Sequence, residues 1–203
     1  LLVVVLEYQP EQVAATAVEP VEGGAQAVQL LQVRQQRLGQ RVDEIRIGDP
    51  LRRENWLGPV VNASAYASYA VYADELYQGG GQVISGGHQL RDGALARGYL
   101  VEPVLAEAPL SHRLWKHEMF LPILMVHRVR DRDEAMRLAN DSDLGLTAGF
   151  YGGADEVSWF HEHIEAGVTY ANRPQGATTG AWPGYQPFGG WKGSGSTGKA
   201  IAS

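Results

Sequence analysis

Short apolar runs alternate with helical stretches along most of this chain, and that alternation is what most limits its fold. Leu1–Leu6 is a continuous apolar, β-branched run of the kind that fills a buried parallel strand. Gln9–Val18 predicts a helix, with Val13, Ala14 and Ala17 on one side, and Val21–Gly24 breaks it. Ala25–Ile45 predicts a second helix, weakened at Gly39 and ended by Gly48-Asp49-Pro50. Asn62–Tyr77 predicts a third, carrying a tyrosine stripe at Tyr66, Tyr69, Tyr72 and Tyr77 that suits packing. Gly79–Gly81 stops it, and Gln82–Ser85 follows as a short strand. Tyr99–Leu105 predicts a strand interrupted by Pro103, hence an edge or irregular one. Pro122–Arg130 is another apolar strand, and Asp131–Asn140 a helix with acidic residues at its start. Ala148–Tyr151, Glu156–His163 and Gly167–Ala171 close the pattern as strand, helix and strand. The expectation is α/β with a mostly parallel sheet.

Composition removes several functions. The 203 residues carry 17 basic and 23 acidic side chains, a formal charge of −6, and no basic run that would favour nucleic acid. Leu1–Leu6, the longest apolar run, is far too short for a membrane span and lacks the flanks of a signal peptide. The absence of cysteine excludes disulfides, thiolate metal sites and thiol nucleophiles in this chain. The cytoplasm is the expected compartment.

Asn172–Lys199 is the main shift in composition. It is too glycine-rich for a helix or a plain strand and too aromatic for a linker. Glycine lets backbone approach a ligand, and Trp182, Tyr185, Phe188 and Trp191 supply walls. Gly193–Lys199 fits both G-x-x-x-x-G-K and G-x-G-x-x-G, but Ala200 stands where the metal-binding hydroxyl belongs and only four residues follow Lys199. A glycine-rich turn is the expectation there. His161 and His163, two apart on a helix, do not share a face, and His112 and His117 are expected as solvated loop residues.

Taken in order, Ile47–Pro50, Gly58–Val60, Gly86-Gly87, Gly98–Pro103, Glu118–Pro122, Asp133–Ala135, Leu138–Asn140, Gly145–Gly149, Gly167–Asn172 and Pro187–Gly195 resemble the aldehyde dehydrogenase superfamily. Leu1–Tyr8 and the helix after it look like the strand and helix that open that family's catalytic domain. The resemblance implies a three-layer, open, mostly parallel twisted sheet, with residues 1–203 a catalytic domain alone. The family's Rossmann-type cofactor domain and general-base glutamate are then absent. So is the cysteine segment, whether by a deletion after Val18 or with Ala14 standing at the nucleophile. Thr179–Gly190 resembles 1-pyrroline-5-carboxylate dehydrogenase, with other semialdehyde dehydrogenases as alternatives.

By the same resemblance, Glu118 accepts hydrogen bonds from the nicotinamide ribose of NAD or NADP and Phe120 packs beside it. A carboxylate suits two vicinal hydroxyls because it only accepts. Leu121 stands where the family has glycine, which would crowd the cofactor. Gly180 and Ala181 offer backbone N–H groups to a substrate carboxylate, and Phe188 packs on its carbon chain. The family's covalent reaction requires the thiolate this chain lacks, so the expectation is an inactive isolated chain. A homo-oligomer or a complex with an intact homologue is the expected assembly, because removal of a domain uncovers apolar surface.

Overall fold

The computed structural model describes residues 35–173 and 189–194. The expected elements at 1–18 lie outside those residues, as do Gly180, Ala181 and Phe188. The chain divides into two compact units, one over Val21–His127 and the other combining Leu1–Pro20 with Arg128–Ser203.

In the Val21–His127 unit, α1 is helical over 35–43 and ends before Gly48. α2 (Ala63–Gln78) begins where Asn62 Oδ1 accepts from Ala65 N at 2.8 Å, one of the helix's unpaired amide donors. It stops at Gly79, whose N–H donates to the Glu75 carbonyl. The sheet has the order β1 (Gln82–Ser85), β2 (Val104–Glu107), β3 (Ile123–Val126), antiparallel then parallel. The strand expected at Tyr99–Leu105 begins only at Val104. Pro103 has no N–H for the ladder, so the residues before it are limited to a bridge between Gln89 and Val101. β2 is central and buried on both faces at Val104, Leu105 and Ala106.

The core of this unit joins Tyr69 and Leu76 of α2 to Val101, Val104, Ala106, Leu114 and Met125. The tyrosine stripe is thus mostly packing: Tyr69 is fully buried, Tyr66 and Tyr72 flank it, and Tyr77 alone stays exposed. The Tyr69 hydroxyl donates to the Glu102 carbonyl at 2.5 Å. Burial first, and the nearby Glu102 charge second, push its pKa far above the usual tyrosine value.

In the other unit, α3 (Arg132–Asn140) is capped by Asp131, whose carboxylate accepts from Glu134 N at 2.8 Å. β5 (Thr147–Phe150) and β6 (Val168–Ala171) pair in parallel over four residues, while β4 (Leu144–Gly145) pairs antiparallel with β7 (Trp191–Lys192). Glu156 reaches back to the Gly153 N–H at 3.0 Å and starts α4 (Ala154–His163) two residues earlier than expected. Phe150 stacks on Phe160 at 5.0 Å within a core completed by Ile164 and Ala166. The two parallel ladders are the longest of the described pairings.

Candidate functional site

Glu118 and Phe120 sit on the loop that leads from a short 3-10 helix, Arg113–Lys116, into β3. The loop alternates. Met119 and Leu121 pack against the core, while Glu118 and Phe120 point to solvent. Leu121, half-buried, packs its side chain against the apolar cluster. Pro122 O accepts from Val104 N at 2.8 Å and Leu121 O from Ile123 N at 2.8 Å, which fixes the loop's far end to β2 and β3.

Phe120 is 84% exposed and has φ of 52°, a conformation that a bulky side chain avoids. Backbone held in this region costs on the order of 1–3 kcal/mol and is maintained by its surroundings. Here the half-buried neighbours Met119 and Leu121, packed against the core, supply that constraint. Glu118 has no hydrogen bond or ion pair among the described residues, whereas Glu75, Glu102, Glu134 and Glu165 are each paired. The loop thus presents an unengaged carboxylate and an unengaged aromatic ring two residues apart.

The described ends of the glycine-aromatic stretch are fastened by side chains. Asn172, at φ of 52°, accepts from Gly152 N at 3.0 Å and donates to Gly152 O at 2.9 Å. The Tyr151 hydroxyl donates to the Arg173 carbonyl. At the other end Lys192, at φ of 55°, places its ammonium 2.6 Å from the Glu165 carboxylate and donates to the Asn140 carbonyl at 2.5 Å. That carbonyl is the last of α3, where a cation is favoured. Ser194 Oγ accepts from Gly145 N at 2.9 Å, and Gly193 N donates to Asp143 O. Lys192 is engaged in a structural clasp and is not free for a phosphate. Lys199 lies outside the described residues.

The histidines fall into different places. His112 is not a solvated loop residue; it is 8% exposed. Its Nδ1 accepts from Leu114 N at 3.3 Å and its Nε2 donates to the Glu75 carbonyl at 3.2 Å, so the chain's turn toward the 3-10 helix is built around the ring. His117 meets the Tyr72 hydroxyl at 2.7 Å. His163 bonds the Trp159 carbonyl and His161 the Thr169 hydroxyl. Among the described residues no three His, Cys, Asp or Glu side chains gather as metal ligands, and no helix is long and apolar enough to cross a membrane.

Residues 31–202 match the model of the aldehyde dehydrogenase family, and the chain belongs to that family. Its fold is α/β of the aldehyde dehydrogenase type. It is 31% identical over 159 residues to the 1-pyrroline-5-carboxylate dehydrogenase of a Geobacillus species, covering 77% of this chain and 29% of that protein. It is 36% identical over 164 residues to the 2,5-dioxopentanoate dehydrogenase of Saccharolobus solfataricus, covering 80% of this chain and 32% of that protein. Among solved structures, PnpE in complex with nicotinamide adenine dinucleotide, a protein from a Pseudomonas species, superposes with a TM-score of 0.71 at 32% identity. That superposition covers 82% of this chain and 32% of PnpE. The chain thus spans about a third of the length of these relatives. The strand and helix expected at 1–18 precede the matched residues.

Proposed function

We propose that this chain is the framework of an NAD(P)-dependent semialdehyde dehydrogenase: a catalytic domain that carries a cofactor-facing loop and a substrate-facing wall but no nucleophile. The observation that carries this reading is the pairing of a free Glu118 carboxylate with an exposed Phe120 ring on a backbone held at positive φ. Glu118 accepts hydrogen bonds from the two vicinal hydroxyls of the nicotinamide ribose, and Phe120 packs beside the sugar. When bound, the cofactor takes the hydride.

The named substrates of the two relatives support the substrate class. A 2,5-dioxopentanoate has a carboxylate at one end of five carbons and an aldehyde at the other. A 1-pyrroline-5-carboxylate is the ring-closed imine of a five-carbon semialdehyde. We assign a substrate of this shape to the stretch holding Gly180, Ala181 and Phe188. The two backbone N–H groups meet the carboxylate and the ring lines the chain. With no cysteine among its 203 residues the chain supplies no thiolate, so it does not oxidise aldehydes by itself. The nucleophile then comes from outside these 203 residues, and the chain associates with a second copy or with an intact homologue, of which only the homologue could bring it. Its place is the cytoplasm.

Saturation-transfer NMR with nicotinamide mononucleotide tests the loop directly, because the method detects weak binding. Transfer to the ribose protons is expected with the wild-type chain and not with Glu118→Ala. Equal transfer in both removes Glu118 from the site.

A further inference from the structure

We propose that Tyr72 and His117 are positioning residues for the Glu118 loop, a role that rests on reading Glu118 as the ribose acceptor. Segment 112–117 is gripped by one face of α2. Tyr72 and Glu75 are three apart and so neighbours on the helix surface. The Glu75 carbonyl accepts from buried His112 at 3.2 Å, and its carboxylate takes the fork of Arg113 at 2.5 Å. Arg113 also lies over the Tyr72 ring, 5.8 Å from its centre. The last contact of the grip is Tyr72 with His117: a hydrogen bond of 2.7 Å and an edge-on ring contact of 5.2 Å.

Beyond His117 the polar ties stop. Among the described residues no hydrogen bond holds residues 118–120, and the next are those of Leu121 and Pro122. With the His117 N–H bond to the Leu114 carbonyl at 3.3 Å, the Tyr72–His117 contact is therefore the last fastening, among the described residues, before the short stretch that presents Glu118. Because His117 is exposed, the contact adds little burial to the fold; its effect falls on the loop. Losing one such hydrogen bond, about 1 kcal/mol, shifts a local opening equilibrium about five-fold.

Two readouts test this on Tyr72→Phe, His117→Leu and His117→Gln, the last keeping an acceptor near the position of Nε2. The first is the rate of glutamyl-endopeptidase cleavage after Glu118, compared with cleavage after exposed Glu54, under conditions where local opening is fast relative to cleavage. The second is ribose saturation transfer from nicotinamide mononucleotide. Tyr72→Phe and His117→Leu are expected to raise cleavage after Glu118 about five-fold, leave Glu54 unchanged, and weaken mononucleotide binding by a similar factor. His117→Gln is expected to restore both. Unchanged cleavage in Tyr72→Phe and His117→Leu overturns the positioning role. So does a wild-type ribose signal that persists unchanged in those variants. The absence of any ribose signal in the wild type overturns the ribose assignment of Glu118 itself, a different failure from the other two.

Discussion

The Glu118 loop and the described ends of the glycine-aromatic stretch are held in place by different forces. The Glu118 loop is held mainly by apolar packing: Met119 and Leu121, both half-buried, pack against the core, the Tyr72–His117 bond ties the near end, and Glu118 and Phe120 face outward. The ends of the glycine-aromatic stretch are held by polar clasps and close backbone crossings. Asn172 clamps both groups of Gly152, Lys192 ties the end of α3 to Glu165, and Gly167 lies where an added Cβ would meet the Gly189 carbonyl at 1.7 Å. The contrast teaches where each segment tolerates change. A loop packed against a core can vary the outward side chains that hold nothing, Glu118 and Phe120, and remain in place. A segment fixed by glycine contacts and single hydrogen bonds cannot vary its fastenings.

The largest expected effect follows from the glycine crossing. Gly167→Ala forces a methyl into the Gly189 backbone and is expected to cost about 3 kcal/mol by urea unfolding. A loss below about 0.5 kcal/mol would mean the crossing is loose and the contrast false.

On the burial-held side, Tyr69→Phe removes the bond to the Glu102 carbonyl and is expected to cost about 1.5 kcal/mol at pH 7. The folded-state pKa of Tyr69 lies above its unfolded value. Its stabilising contribution is thus whole below about pH 10 and is lost as pH rises from there toward the folded pKa. Unfolding measured from pH 8 to 11 should show the wild type losing its advantage over Tyr69→Phe above about pH 10. A constant difference would refute the assignment.

Lys192→Met tests the clasp. Its ammonium is partly exposed, so screening reduces its worth, and a loss of about 1 kcal/mol, smaller in high salt, is expected. A loss unaffected by salt would place the contribution in the hydrogen bond to the Asn140 carbonyl instead.

A last comparison, of similar size, isolates the strain at Phe120. Glycine should exceed alanine there by about 1 kcal/mol in thermal melts, because only glycine takes positive φ without strain. Elsewhere alanine is normally favoured, so the reverse order would mean the loop does not hold that conformation.

Much of this was legible in the chain, and the rest was hidden for identifiable reasons. Asn62, Gly79 and the acidic start of α3 mark helix ends through local hydrogen bonding and charge, and they mark them correctly. Pro103 gave warning of an irregular strand, but not that the continuous ladder would begin only after it, with a lone bridge at Val101 before. The pairing of β4 with β7 spans two residues separated by almost fifty, too short to leave any periodicity. Burial of His112 depends on a contact with Glu75, thirty-seven residues away. The choice of Glu118 came from its neighbours in the sequence, whereas its lack of a partner among the described residues is a property of the fold. Positive φ at Phe120, Asn172 and Lys192 was the least legible feature, since only asparagine among these favours it.

One measurement bears most directly on the proposal that this chain carries cofactor- and substrate-facing segments without the means of reaction. The purified 203-residue chain is given NAD+ or NADP+ with a five-carbon semialdehyde, and absorbance of the reduced nicotinamide is followed. No reduction above that of an unfolded control is the expected result. Sustained turnover well above that control would contradict the claim, because a chain without cysteine would then be supplying its own nucleophile.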